Sequence, residues 1–183
     1  MGHHPTGTGT RSDLPALVAS RTRDIPDFPE PGILFKDLTP LFADGAAFRA
    51  VAEGIVAEHT GFDVVAGIEA RGFLVAAAVA MIAGTGVVPV RKAGKLPWRT
   101  VSAAYSLEYG RAEIEVHEDA FAGAGRVLLV DDVLATGGTL AAAADLVARA
   151  GGTIAGMSVV LELSALAGRA KLAGRDIHAV LVA

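Results

Sequence analysis

Two adjacent carboxylates, Asp131 and Asp132, stand between an apolar run and a loop of small residues. The run, 127–130, is Val-Leu-Leu-Val, and the loop, 135–139, is Ala-Thr-Gly-Gly-Thr. A continuous β-branched and leucine run fits a strand buried on both faces. Residues 140–150, rich in Ala and Leu, favour a helix. This order of elements makes a site, because open α/β sheets bind ligands beyond the carboxyl ends of their strands. A helix N-terminus offers unpaired N–H groups and partial positive charge. Gly137 and Gly138 let the backbone approach a ligand closely, and Thr136 and Thr139 add hydroxyls. Such a loop suits a phosphate. The acids would repel one; they suit hydroxyls or a metal ion a few ångströms away. A ribose 5-phosphate satisfies both requirements.

Three further stretches carry chemistry. Gly67-Ile68-Glu69-Ala70-Arg71-Gly72 is the turn out of a strand predicted over 62–68, ahead of an apolar helix at 73–83. A lone cation at a helix start is disfavoured by the dipole. Arg71 is therefore explained by an anionic ligand, or else by a surface carboxylate. Arg91, Lys92 and Lys95 follow a short strand at 87–90; they fit a solvated face or a pyrophosphate. Residues 27–40, with Pro29, Pro31 and Pro40 after Pro26, read as an ordered irregular segment, neither helix nor central strand. Its Phe28, Ile33, Leu34 and Phe35 cover the core or wall a flat apolar ligand.

The remaining elements position these groups. Helices are predicted over 13–23 and 44–58, the second with Phe48, Val51, Ile55 and Val56 on one side. Residues 96–110 read as a loop and then a short strand, and 112–116 as a return strand with Glu113 and Glu115 outward. Gly151-Gly152 ends the helix after the acid loop. A strand over 153–161, a short helix over 162–171 and a strand over 177–182 complete the chain. The alternation predicts an α/β fold with a mainly parallel sheet.

The 183 residues, 52% hydrophobic, support one sizeable core. One folded unit over 11–183 is expected, after a disordered polar tail at 1–10 in which His3 and His4 make a poor metal site. A net charge of −4 argues against a broad nucleic-acid surface. The absence of cysteine excludes disulfides and thiolate chemistry and fits a reducing cytoplasm. The longest apolar run, 73–83, is far short of the roughly 20 residues that cross a bilayer.

Residues 127–140 together resemble the phosphoribosyl-diphosphate motif of the type I phosphoribosyltransferases. The segments F-P-E-P-G-I-L-F-K-D-L-T-P at 28–40, G-I-E-A-R-G-F at 67–73, V-R-K-A-G-K-L-P at 90–97 and Y-S-L-E-Y-G at 105–110 resemble the adenine branch of that family, in its order. The resemblance implies a parallel core sheet flanked by helices, with a small hood from about 23–40 and a flexible loop at about 92–110. It implies transfer of phosphoribosyl from 5-phospho-α-D-ribose 1-diphosphate to adenine, with Mg²⁺ held mainly by substrate and water, in a cytoplasmic homodimer. By the same resemblance Asp131 and Asp132 touch the ribose hydroxyls, and Ala135, Thr136, Gly137, Gly138 and Thr139 cradle the 5-phosphate. Arg71, Arg91, Lys92 and Lys95 serve the diphosphate, the basic set in some members being completed by the neighbouring subunit. Leu34, Phe35 and Lys36 hold the purine. Glu108 either transfers a proton or closes the loop. Lys36 stands where many members have arginine, Trp98-Arg99-Thr100 departs from the usual loop, and Glu69-Ala70 replaces an acid-serine pair at a turn that often holds a non-proline cis peptide.

Three rival readings stand against this one. An oxopurine acceptor keeps the fold and reverses the hydrogen-bond pattern at the base. A regulator sensing the activated sugar needs a nucleic-acid surface that residues 1–11 are too few to build. A dinucleotide-binding dehydrogenase needs Gly-x-Gly-x-x-Gly after a first strand, which is missing.

Overall fold

The computed structural model describes residues 13–106, 111–123, 125–172 and 174–183. Among these, a seven-stranded sheet forms the centre, in the order β5-β6-β4-β3-β7-β8-β9. Its strands are β3 (Val64–Ile68), β4 (Gly86–Lys92), β5 (Thr100–Ser106), β6 (Arg111–His117), β7 (Arg126–Leu134), β8 (Thr153–Glu162) and β9 (Ile177–Val182). From β4 to β9 neighbouring strands run parallel, and β5 and β6 form an antiparallel hairpin on the β4 edge. The chain leaves β3 for β4 on one side, while β7, on the other side of β3, leads to β8. The carboxyl ends of β3 and β7 therefore flank the crevice where the winding reverses, the expected ligand site of such a sheet.

Alternation along the strands divides the core between two faces. Val64, Ala66, Ile68, Val127 and Leu129 pack with α5 (Gly138–Arg149), whose Leu140, Ala143, Leu146 and Val147 are buried. Val65, Leu128, Val130 and Val160 pack with α3 (Gly45–Glu58) and α4 (Gly72–Ala83). Asp44 fixes the start of α3: its Oδ1 accepts the N–H groups of Ala46 and Ala47 at 3.2 and 3.1 Å. Those bonds, together with Arg21, hold its carboxyl below the usual range. On this side also lie α1 (Leu14–Ser20), with Pro15 in its first turn, and α2 (Thr39–Ala43).

A second sheet precedes the first. β1 (Arg23–Pro26) and β2 (Leu34–Asp37) pair antiparallel, so the segment expected to be irregular contributes a strand, β2, which β1 pairs from just before it. Its prolines are accommodated because Pro26 ends β1, Pro29 and Pro31 lie in the connection and Pro40 starts α2. Other expectations need correction. β4 runs on through Arg91 and Lys92, and β7 through both acids to Leu134, since β8 keeps supplying partners as far as Glu162. α5 begins at Gly138. Residues 162–171 form the end of β8 and two 3₁₀ turns, Ser164–Leu166 and Gly168–Leu172, in place of a helix. Ala167 between them takes a left-handed conformation, φ 50°, which stops helix propagation. Glu115, expected outward, is buried.

Gly67 sets how closely α4 lies on β3. A methyl group there would stand 2.5 Å from the Ala76 Cβ and 3.1 Å from the Gly72 carbonyl oxygen. Gly67→Ala should therefore push α4 off the sheet and lower stability by about 1–3 kcal/mol in urea denaturation. Unchanged stability would show that the contact is not tight.

Candidate active site

The acid pair sits where β7 outruns its neighbour. Pairing with β3 ends at Val130, while pairing with β8 continues. Asp131 and Asp132 are buried, 9% and 6% exposed. The Asp132 N–H donates to Asp131 Oδ1 at 2.8 Å. Burial raises the affinity of Asp131 for its proton well above the usual carboxylate range, and the neighbouring Asp132 charge raises it further. Burial raises Asp132 also, against the opposing charge of Arg71.

Arg71 comes from the turn between β3 and α4. Its Nε lies 2.7 Å from Asp132 Oδ2. That oxygen nevertheless receives no well-aligned hydrogen bond, so the contact is an ion pair whose N–H points off the line. The same guanidinium lies 5.0 Å from the centroid of the Phe35 ring, a cation–π contact. Phe35 meets Phe28 edge to face at 5.1 Å. One cation thus links the strand-end acids to the aromatic surface of the β1–β2 pair. The turn holds Glu69–Ala70 as a cis peptide. Gly72 follows because a Cβ there would meet Asp131 Oδ1 at 2.6 Å.

The small loop closes the other side. Gly137, φ 78°, caps α5 and is buried; any Cβ would collide with the carbonyl oxygen of Gly168. Asp131, Ala135, Thr136, Gly137 and Thr139 line a cavity of ≈ 70 Å³. Larger clefts lie elsewhere, between α1, α3 and β9, and between β5 and α5. The small cavity is the chemical one, because an acid, two hydroxyls and a helix N-terminus converge on it.

The basic set is held by two acids. Glu69 Oε2 accepts the Lys92 N–H at 3.0 Å and lies 3.4 Å from Arg91 Nε. The Lys92 bond is the main cause of its lowered pKa. Glu115 Oε1 accepts the N–H groups of Lys95 and Leu96, each at 2.9 Å. Burial pushes the Glu115 carboxyl up, but backbone donors from Leu96, Lys95 and Gly94 hold it lower on balance. Arg91 Nη1 donates to the Lys95 carbonyl at 3.0 Å. Lys92 and Lys95 are themselves exposed.

Of the residues expected to hold a base, Leu34 is half-exposed and Phe35 lies beside Arg71. The Lys36 side chain turns away: its Nζ donates to Asp24 at 2.8 and 3.0 Å. Glu108 lies outside the described residues. The sequence reading missed Glu69 and Glu115 as anchors and Gly168 as the backstop of the loop. The alternation of Glu113 and Glu115 was the available signal for one of them, and it was read as a solvated face.

Residues 40–180 match the family model of the phosphoribosyl transferase domain. The chain belongs to that family. A curated relative, the adenine phosphoribosyltransferase of Salinispora tropica, is 62% identical over 180 residues, 95% of this chain and 96% of the relative. The adenine phosphoribosyltransferase of Streptomyces coelicolor is 52% identical over 183 residues, 97% of each chain. Among solved structures, the adenine phosphoribosyltransferase of Thermoanaerobacter pseudethanolicus superposes with a TM-score of 0.86 at 45% identity, covering 95% of this chain and 100% of that one. The Saccharomyces cerevisiae enzyme, complexed with an imino-altritol bisphosphate and adenine, gives 0.87 at 35% identity, covering 93% and 99%. These neighbours share the mixed α/β architecture with its mainly parallel sheet, as the sequence implied.

The raised acids make a stability prediction. A carboxyl whose folded pKa is raised holds a proton that the unfolded chain releases at lower pH. Stability therefore falls as pH rises from the unfolded carboxylate range, about 4, through the raised folded value. Asp131→Asn removes that loss. Its melting temperature should exceed the parent's by a few degrees at pH 8, with the gap closing toward pH 4. A gap independent of pH would refute the proton assignment.

Proposed function

We propose that the chain transfers the 5-phosphoribosyl group from 5-phospho-α-D-ribose 1-diphosphate to adenine, giving AMP and diphosphate, as a pentosyltransferase of purine salvage. The observation that carries the reading is Arg71, placed between a strand-end acid pair and an aromatic surface. The extent of the likeness to adenine phosphoribosyltransferases supports the choice of base.

The roles follow from the chemistry of each group. Ala135–Thr139 holds the 5-phosphate through backbone N–H groups and two hydroxyls. Asp131 and Asp132 accept from the ribose hydroxyls and favour the positive charge that develops on the sugar. Arg71, Arg91, Lys92 and Lys95 bind the departing diphosphate. Arg71 is paired with Asp132 in the free protein, so the diphosphate competes with that carboxylate for it. Phe35 stacks on the base, and backbone groups of residues 34–36 read its edge. Movement of the β5–β6 hairpin over the site excludes water that would hydrolyse the activated sugar. Glu108 moves a proton of the purine or fastens the closed loop.

Among the described residues no group of three or more His, Cys, Asp or Glu is placed to hold a metal ion. The acid pair fits Mg²⁺ that takes most of its ligands from substrate oxygens and water, with Asp131 and Asp132 holding it through those hydroxyls and waters. When bound, Mg²⁺ neutralises charge on the leaving diphosphate.

The proposal includes a homodimer. α4 is apolar all round: Val75, Ala76, Val79 and Ala80 are buried, yet Leu74, Met81 and Ile82 are exposed, as is Val87 of β4. A second copy covers that face, next to the strand that carries Arg91 and Lys92. The site of action is the cytoplasm, in keeping with a chain without cysteine. Among the described residues no helix is long and apolar enough to cross a membrane.

Two measurements test this reading. With one activated sugar and equimolar adenine, hypoxanthine, guanine and xanthine, AMP should dominate, adenine winning by at least about 100-fold in kcat/KM. Dominant IMP or GMP would assign an oxopurine acceptor. Sedimentation should give about twice 18.6 kDa, and Met81→Glu should shift the mass toward the monomer. A fully active parent monomer would overturn the dimer.

A further inference from the structure

Behind the phosphate-cradling loop lies a side-chain pair that the chemistry above does not use. Glu162 ends β8 and is buried, 5% exposed. Arg169, in the 3₁₀ turn Gly168–Leu172, grips it: Nε lies 2.8 Å from both carboxylate oxygens and Nη2 lies 2.7 Å from Oε2. Arg169 Nη1 also donates to the Ile177 carbonyl of β9 at 2.8 Å. The Glu162 carboxylate raises the pKa of the guanidinium further. A planar fork with three charge-assisted contacts fixes direction as well as distance.

What this fixes is the adjacent Gly168. Its backbone is wedged against the loop from outside. A Cβ on Gly137 would strike the Gly168 carbonyl, and one on Gly168 would strike the Ala135 carbonyl and stand 2.9 Å from Leu134 Cδ1. No methyl group fits between turn and loop from either side. The far end of the turn is fastened by Leu172, buried in the cluster that includes Leu134 and Leu140. Glu162 is registered opposite Leu134, and the Leu163 N–H donates to the Leu134 carbonyl at 2.9 Å. The brace is therefore tied to the same strand end that emits the loop.

We infer that Glu162 and Arg169 are positioning residues: they press the Gly168 turn against residues 135–137 and so hold the loop's N–H groups in the orientation that receives a phosphate. The inference rests on the phosphoribosyl reading of that loop. A phosphate held by backbone donors is sensitive to their direction, since a displacement of about 1 Å in a positioned group costs on the order of 100-fold. An ordinary structural salt bridge would support folding without selecting among ligands. The brace instead acts on one end of the substrate, the phosphate, and leaves the base end at β2 untouched.

The test is calorimetric titration with ribose 5-phosphate, together with KM for each substrate, on the parent, Arg169→Ala and Arg169→Lys. Arg169→Ala should weaken ribose 5-phosphate at least about tenfold and raise KM for the activated sugar to match, with KM for adenine changed less than about twofold. Arg169→Lys keeps the charge and loses the fork, and should fall between. Equal losses toward both substrates, or affinity for ribose 5-phosphate unchanged from the parent, would overturn the brace. If Arg169→Ala does not fold, Arg169→Lys decides by the same two comparisons. A parent that binds ribose 5-phosphate but makes no AMP would instead sink the choice of acceptor and leave the brace standing.

Discussion

Two carboxylates on successive residues cannot both be buried and ionised without a counter-charge, and this constraint organises the crevice between β3 and β7. Burial raises the proton affinity of both acids, the Asp132 charge raises that of Asp131 further, and Arg71 opposes the rise in each. To supply that cation, α4 must begin against the end of β7. Gly72 permits the approach, and Gly67 lets the helix continue down onto β3. The tight packing of one helix thus follows from the charge that its first turn must deliver. The same constraint leaves an acid pair prepared for hydroxyl donors, because a ligand that hydrogen-bonds to the ionised form recovers part of what burial has cost.

The cations are handled differently. Arg91, Lys92 and Lys95 are crowded at the end of β4 and the turn after it, where their repulsion favours splaying apart. Glu69 and Glu115 counter this by accepting backbone N–H groups of Lys92, Lys95 and Leu96. Acids engaged with the backbone lend negative charge to the turn while the lysine ammonium groups stay in solvent. The turn is ordered and its positive charge remains presented outward. An anion arriving there meets cations whose backbone is already fixed, which lowers the ordering entropy lost on binding.

Local pattern made much of this legible. The apolar run before Asp131, the small residues of 135–139 and the helix after them marked the strand–loop–helix unit that borders the crevice, since each rests on near-neighbour chemistry. The parallel sheet followed from the alternation of strand and helix patterns. What escaped depends on partners distant in the chain. Glu115 looked like a solvated residue of an alternating strand; its burial is set by Lys95 and Leu96 folding back over it. Residues 162–171 looked helical by composition, but Glu162 is held in β8 by its register with Leu134 and Val182, and left-handed Ala167 divides what remains. The strand pair β1–β2 was hidden by prolines, which sit at its ends and in its connection and spare the ladder. Lys36 is placed at the base by the resemblance alone, which does not show that its partner, Asp24, lies opposite it across that ladder.

The position of Lys36 bears on how a base is distinguished. With Nζ held by Asp24, the Lys36 side chain lies along the β1–β2 ladder, and what β2 offers a base is its backbone. β2 pairs with β1 along one edge only among the described residues. In an antiparallel pair alternate residues turn their N–H and C=O groups away from the partner, so β2 keeps backbone donors and acceptors on its open edge. Backbone groups cannot be altered by side-chain substitution, and their spacing is set by the strand. A purine stacked on Phe35 would therefore be read by a fixed donor–acceptor pattern, and a sugar phosphate would be read separately, by the ends of β3 and β7. Arg71, touching both Phe35 and Asp132, joins the β1–β2 surface to the end of β7.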